Sequence, residues 1–413
     1  MLGIFVLLVC TSLVFANGFS IYEHGAKSMS LCGAFTAQAN DVTAIFFNPA
    51  GLTQLSGWNF SVGGTYIMPT SSFTGPTPLT TKSELKTWNF LVPHLYASYA
   101  INEDLSAGFG FFVPFGLGTE WEHDWVGNQL ATKSEVQTMY FNPVVAYRVM
   151  EGLSIAAGLE YVLGNITLDR VTVLPPQLGG LQGDVGLTGD AKGAFGFNLG
   201  ALYQATDNLS LGASWRSNVD LDIDGTAKFT FPVTGNPVLD GTIAALFPET
   251  DGTATITLPT FLNLGVAYKP LENLTVELDW FQIGWSSYDE LAVDFKNETA
   301  AVTDLKSKKD WKDASSIRLG VEYRWNEQLA LRLGAMRDDD PAPDKYVDPS
   351  LPGAERWLFS LGGGYTFGNL TVDMGYMLLL QDDRTIKDSE AGFNGTYEST
   401  ANLMTLTLGY AIK

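Results

Sequence analysis

A closed antiparallel β-barrel that crosses a membrane, with about 14 strands and an N-terminal plug in its lumen, is the all-β architecture prescribed by this chain of 413 residues. One pattern recurs six times: an aromatic residue, a few turn-forming residues, then a Leu that opens a strict every-second-residue apolar run. The copies start at Tyr99, Tyr147, Tyr203, Tyr268, Tyr323 and Tyr365. In the third copy Leu209, Leu211, Ala213 and Trp215 share one face, and Ser210, Gly212, Ser214 and Arg216 share the other. That is the period of a strand whose two sides meet different solvents. Composition agrees, since charged residues make up 17% of the chain against about a quarter in ordinary soluble domains.

Residues 1–16 (MLGIFVLLVCTSLVFA) form an apolar stretch that ends in small residues and is short for a membrane span. They read as a secretory signal cut before Asn17, although no Lys or Arg precedes them. Cutting there leaves Cys32 without a partner and excludes an intrachain disulfide. Residues 17–56 show no sustained alternation, yet Phe19, Ile21, Phe35, Ile45, Phe46 and Phe47 need burial. A barrel of this size encloses more space than its own side chains fill, so the segment is expected to cork it.

The barrel is assigned to residues 57–413. Alternating runs at 58–68 and 403–412 flank the six hairpins, and each run is long enough, when tilted, to cover a bilayer's hydrocarbon layer. No later apolar stretch is long enough for a helical span, so crossing requires a closed ring of strands with no open edge in lipid. The longer connections, at 69–86, 116–133, 169–189, 224–252, 286–311, 338–355 and 381–398, are expected to be extracellular loops. The short turns then face the periplasm of a Gram-negative-type bacterium.

A formal net charge of −21 argues against a nucleic-acid partner. Acids such as Asp338, Asp339, Asp340 and Asp344 read as a solvated outer face, with divalent-cation binding as the alternative. No metal or cofactor motif stands out. His24, His94 and His123 fall in no pattern that pairs a base with a nucleophilic Ser, so no enzyme is expected. An open porin with Glu160, Glu277, Asp279 and Asp373 setting selectivity is a rival, but an open pore needs no apolar plug.

The segment NGFSIYEHGAKSMSLCGAFTAQANDVTAIFFNPAGL (17–52), with its Asn48-Pro49-Ala50, resembles the hatch of the FadL/TodX family of outer-membrane transporters for long-chain fatty acids and other hydrophobic molecules. The likeness continues through PFGLGTEWEHDWVGN (114–128), FNPVVAYRV (141–149), LPTFLNLGVAY (258–268) and WKDASSIRLGVEYRW (311–325). The resemblance implies capture of the ligand in a groove among outer loops, passage to an internal pocket, and sideways exit beside a kinked strand. Phe19, Asn48, Pro49 and Ala50 would belong to the gating hatch.

Pro114 cannot donate to a ladder; with Gly110 and Gly116 it is the candidate kink, unless it marks only the strand's outer end. The loop holding Val173, Leu174, Leu178 and Leu181, with Phe115 and Trp121 nearby, is the candidate groove. By resemblance Arg170 and a position in the cluster Lys306, Lys308 and Lys309, its register open by a residue or two, would hold a carboxylate, and surface charge is the competing reading. An aromatic or alkane hydrocarbon would need no cation. The implied partners are the hydrophobic ligand, outer-membrane lipid and the barrel assembly machinery, with a monomer as the expected state. The chain ends Tyr410-Ala411-Ile412-Lys413 rather than on the aromatic residue commonly read in assembly.

Overall fold

The computed structural model describes residues 18–78, 80–86 and 89–412; the predicted signal lies outside them. Fourteen antiparallel strands close into one ring. They are β1 (Trp58–Thr74), β2 (Phe90–Ala100), β3 (Leu105–Phe112, resuming as Gly116–Glu120), β4 (Lys133–Met150) and β5 (Leu153–Val173). Then come β6 (Gln182–Ala191 with Ala194–Thr206), β7 (Leu209–Arg216 with Val219–Thr230), β8 (Thr250–Leu258 with Phe261–Leu271) and β9 (Leu274–Ile283, with Glu290–Phe295 above it). The ring is completed by β10 (Ala314–Arg324), β11 (Leu329–Asp338), β12 (Arg356–Phe367), β13 (Leu370–Gln381) and β14 (Gly395–Ile412).

Closure is made by β1 against β14, in unbroken register from Trp58↔Ile412 to Thr74↔Thr396. No edge is left where the seam crosses lipid, as the apolar medium demands. The six expected hairpins are all present, and Asx turns finish two of them: the Asn102 and Asn326 side chains accept from the backbone N–H groups of Asp104 and Leu105, and of Gln328 and Leu329. On β14 the outward Met404, Leu406 and Leu408 are 53%, 46% and 42% exposed, whereas inward Thr405 and Thr407 are buried. Lipid therefore meets the apolar face.

Several segments expected to be loops are strand instead. Residues 69–74 continue β1, residues 395–398 begin β14, and Asp169–Val173 of β5 pairs with Gln182–Gly186 of β6. Backbone pairing continues beyond the span because hydrogen bonding to a neighbouring strand satisfies the chain in water as well as in lipid. These extensions form the walls of an outer vestibule.

β3 is broken where Pro114 stands. Leu105–Phe112 pairs with β4 over its whole length and with β2 only as far as Leu95↔Phe111. Gly116–Glu120 then pairs with β4 alone. The backbone of Ile21 donates to Pro114 O at 2.8 Å, and Gly116 N donates to Phe19 O at 2.8 Å. A piece of the N-terminal segment thus stands in for the missing neighbour. Above the break, Lys86 N donates to Glu120 O and the wall is joined again.

Residues 18–55 are nearly all buried and meet inward side chains around the ring. Asp279 accepts from the N–H groups of Phe35 and Thr36, both at 3.0 Å, and Glu277 from those of Ala37 at 2.6 Å and Gln38 at 3.1 Å. Thr407 holds the N–H of Ala26, and Ser360 that of Cys32. Close approach requires glycine in the wall: a Cβ on Gly212 would lie 2.1 Å from Thr36 O.

Candidate functional site

Above the buried segment lies a cavity of about 290 Å³. Its floor includes Phe19, Tyr288 and Trp311, and its sides are the inward faces of the strand extensions: Leu117, Val136, Ile166, Leu168, Leu187, Ile256 and Val293. Asp348, Ser350, Leu351 and Ala391 border it from the outer loops. A narrower apolar crevice, between the extensions of β5 to β9, shares Ile166, Leu168, Leu187, Leu291 and Val293 with it.

Arg170 lies on this cavity because Ile166, Leu168 and Arg170 share one face of β5, the period of two carried above the membrane. It makes no ion pair or side-chain hydrogen bond among the described residues. Lys306 lines the same space, and it too has no ion pair among the described residues. Lys308 does not line it. It is exposed and faces Asp310 at 3.9 Å and the Tyr346 ring, so of the expected cluster Lys306 and Lys309 line the cavity and Lys308 does not.

The cause is local. The short strand Leu305–Lys308 ends there, Lys309 N and Asp310 N both donate to Asp289 O, and Asp310 adopts a φ of 50°. The turn brings Lys309 to the cavity, where its ammonium meets Asp348 at 2.8 Å. Burial alone would raise the Asp348 carboxyl, but Lys309 and hydrogen bonds from Lys309 and Ser350 outweigh it and hold the group below its ordinary value. Burial would likewise lower Lys309, and Asp348 outweighs that and raises it.

The expected groove residues are placed elsewhere. Val173, Leu174, Leu178 and Leu181 belong to the tip of the β5–β6 hairpin, closed by Leu174 N to Leu181 O at 2.8 Å, and none lines the cavity. Leu174 is buried and Val173 exposed, so the local apolar run serves hairpin packing and surface rather than one continuous groove. Trp121 is buried, stacked on Trp125 at 4.1 Å, and its indole N–H donates to Pro349 O, holding the capping loop. Phe115 is fully buried beside Phe19 and Trp285. Asn48 bridges segment and wall: its amide N–H groups donate to Thr36 O and Ala201 O, while its oxygen accepts from Ala50 N. Pro49 and Ala50 are buried beneath it, starting a 3₁₀ turn.

The inward acids are engaged. Glu160 is ion-paired with Arg216, and Arg332 bridges Glu322 at 2.7 Å and Asp373 at 2.5 Å. A second cavity of about 340 Å³ at the periplasmic end is lined by Lys27, Asp41, Glu322, Arg324, Arg332 and Asp373. It is a polar vestibule unsuited to an apolar solute.

Sequence reasoning missed Asp348 and the apolar upper faces of β5, β6 and β8. The signal for those faces was present: above the membrane the alternation continues with apolar groups on the inward side, as at Ile166 and Leu168.

Residues 7–412 match the family model described as Outer membrane protein transport protein (OMPP1/FadL/TodX). The chain is 29% identical to a 47 kDa outer membrane protein of Pasteurella multocida, over 91% of this chain and 89% of that one. It is 26% identical to a long-chain fatty acid transport protein of Salmonella typhi, over 99% and 97%. Among solved structures, a Pseudomonas aeruginosa FadL homologue superposes with a TM-score of 0.83 at 17% identity, covering 95% of this chain and 99% of that chain, which supports the fold. With its closed ring of strands and this match over nearly its whole length, the chain belongs to the FadL/TodX family of outer-membrane transport proteins.

Proposed function

We propose that this protein carries long-chain fatty acids inward across the outer membrane, through the Arg170 cavity and out through the wall beside the β3 break. The observation that carries the reading is Arg170 itself: a cation without a counter-ion among the described residues, half-buried in a largely apolar cavity large enough to hold much of an amphiphile. A carboxylate headgroup would supply the missing partner and leave the chain among Ile166, Leu168 and Leu187. Lys306 adds a second free ammonium.

Capture would start in the crevice between the β5 to β9 extensions rather than at the β5–β6 tip. The buried N-terminal segment acts as a hatch, and straight passage would take an apolar chain into the charged periplasmic vestibule. Passage between β2 and β3 avoids that cost. Gating is assigned to Phe19, whose backbone shares the hydrogen bonds of the break, and to Asn48, Pro49 and Ala50, which seat the hatch. The engaged state of Glu160, Glu277, Asp279 and Asp373 favours this reading over a porin for polar solutes. The histidines favour carriage over chemistry: His24 and His94 are buried, with Ile21 O and Thr407 as hydrogen-bond partners, and His123 faces Asp184 on the surface. Insertion by the barrel assembly machinery and function as a monomer complete the proposal.

The test is oleate and toluene binding to the purified protein in detergent. Arg170→Ala removes charge-assisted hydrogen bonds of about 1.5–3 kcal/mol, so oleate affinity should fall by about ten- to a hundredfold with toluene unaffected. Unchanged oleate affinity would remove Arg170 from the site.

A further inference from the structure

Arg318 of β10 is 2% exposed, yet its guanidinium makes no ion pair among the described residues. Its Nε donates to Ser316 Oγ at 3.1 Å, and its Nη1 lies against Gly33, where a Cβ would be 3.0 Å away. Its Nη2 has no hydrogen-bond partner among the described residues. The group is sandwiched between two rings, with Cζ 4.3 Å from the centroid of Tyr22 and 4.2 Å from that of Phe281. Asp279 of β9 is its cross-strand partner, but that carboxylate accepts from Phe35 N and Thr36 N instead. The rings offset part of the cost of burying the charge. Full compensation still requires an acceptor or an anion.

A small cavity adjoins this guanidinium. It measures about 10 Å³, close to the space that one water-sized guest requires. Arg216 of β7 lines it as well, and so do Asn198, Ser214 and Asn263, whereas no Asp or Glu does. Arg216 is 3% exposed, and its counter-ion Glu160 is not among the groups around the cavity. Asn263 Nδ2 donates to Ser214 Oγ at 3.2 Å and Asn198 Nδ2 to Asn142 Oδ1 at 3.1 Å, which leaves each amide a second N–H. The lining is therefore rich in donors and carries two positive charges without a carboxylate.

We infer that this cavity is a binding site for one small inorganic anion, with chloride as its ordinary occupant. Two guanidinium groups bordering one low-dielectric space repel each other, and an anion between them turns that repulsion into attraction. Water carries no charge with which to do so. A fatty-acid headgroup with its chain is too bulky for a space of this size, so the site is separate from the Arg170 cavity and independent of the solute the barrel carries. Both arginines also hold the buried N-terminal segment: Arg216 Nη2 donates to Phe46 O at 3.2 Å, and Arg318 stacks on Tyr22. The anion thus clamps that segment to the wall formed by β6 to β10, and seating of the segment depends on chloride.

Thermal unfolding of the full-length protein in an uncharged detergent, with chloride exchanged for gluconate at constant ionic strength, tests it. Gluconate is too large for the cavity. Tm should rise with the logarithm of chloride concentration, as for any ligand that binds the folded state alone, and deuterium uptake of residues 44–48 should slow in parallel. Arg318→Met fills the slot between the rings without a charge and should abolish both responses. Arg318→Lys keeps the charge but loses the planar fork. A charge-assisted hydrogen bond corresponds to about ten- to a hundredfold in affinity, so this variant should need about tenfold more chloride, or beyond, for the same rise.

A wild-type readout covers the case in which neither variant folds. Crystals grown in bromide should show anomalous scattering in this cavity, between Arg216 and Arg318. Equal Tm in chloride and gluconate, a chloride response that survives Arg318→Met, or bromide absent from the cavity would overturn the inference.

Discussion

Arg170 and Lys309 border one cavity in opposite electrostatic situations. Arg170 has no counter-ion among the described residues, whereas Lys309 is already neutralised by Asp348 at 2.8 Å. Lys306→Ala is therefore expected to weaken oleate binding and Lys308→Ala to leave it unchanged, by titration of the purified variants. The Lys309–Asp348 pair also predicts a pH window. Asp348 lies below its ordinary 3.8, so its contribution is present above about pH 4 and is lost as pH falls through the folded value. Lys309 lies above its ordinary 10.5, so its contribution persists below that pH and is lost as pH rises through the folded value. Deuterium exchange of residues 347–351 should be slow between these limits and speed up outside them. In Asp348→Asn the acid limb should vanish; an unchanged acid limb would assign it to another group. Arg170 was named through the family resemblance, and its place on the cavity follows from the local register it shares with Ile166 and Leu168 on β5. Lys309 was legible only as one of three clustered lysines, because the turn at Asp310 breaks the period of two that would have shown which of them reach the cavity.

One attachment of the proposed hatch to the wall is electrostatic. Four consecutive N–H groups, from Phe35 to Gln38, point at two carboxylates of β9, and hydrogen bonds to charged groups contribute about 1.5–3 kcal/mol each. The Glu277→Gln/Asp279→Asn double variant should unseat the hatch while the wall stays folded. The expected signature is new conductance steps in planar bilayers with heat-modifiable migration retained; a silent variant would place the anchor elsewhere. Gly212→Val, whose Cβ would meet Thr36 O at 2.1 Å, should produce a similar leak by sterics. The paired positions Glu277 and Asp279 were visible in the chain as inward acids, the profile of a selectivity ring. Their actual partners are backbone amides more than 200 positions away.

As a whole, the molecule is a lipid-facing cylinder with a packed interior. Its outward faces carry residues such as Phe195, Leu333 and Met374, each more than 60% exposed in the absence of lipid, and only hydrocarbon or detergent covers such a belt. The intact protein is expected to partition into membranes and to show no large steady conductance, because the inward acids Glu160, Glu277, Asp279 and Asp373 are engaged and residues 18–55 pack against side chains around the ring. Large currents from the wild type would contradict the corked lumen. The barrel wall could be read from amino-acid order, since strand alternation and turn chemistry depend on neighbours a few positions apart. The same locality made the long connections deceptive, because it does not show where pairing stops and a loop begins. Which inward groups remain free to meet a solute is a different kind of fact. It depends on distances that exist only once the ring has closed: Lys309 meets Asp348, Arg332 meets Asp373, and Arg170 is left without a partner among the described residues. Charge pairing acts through space rather than along the chain, so the wall follows from the order of residues and the site from their assembly.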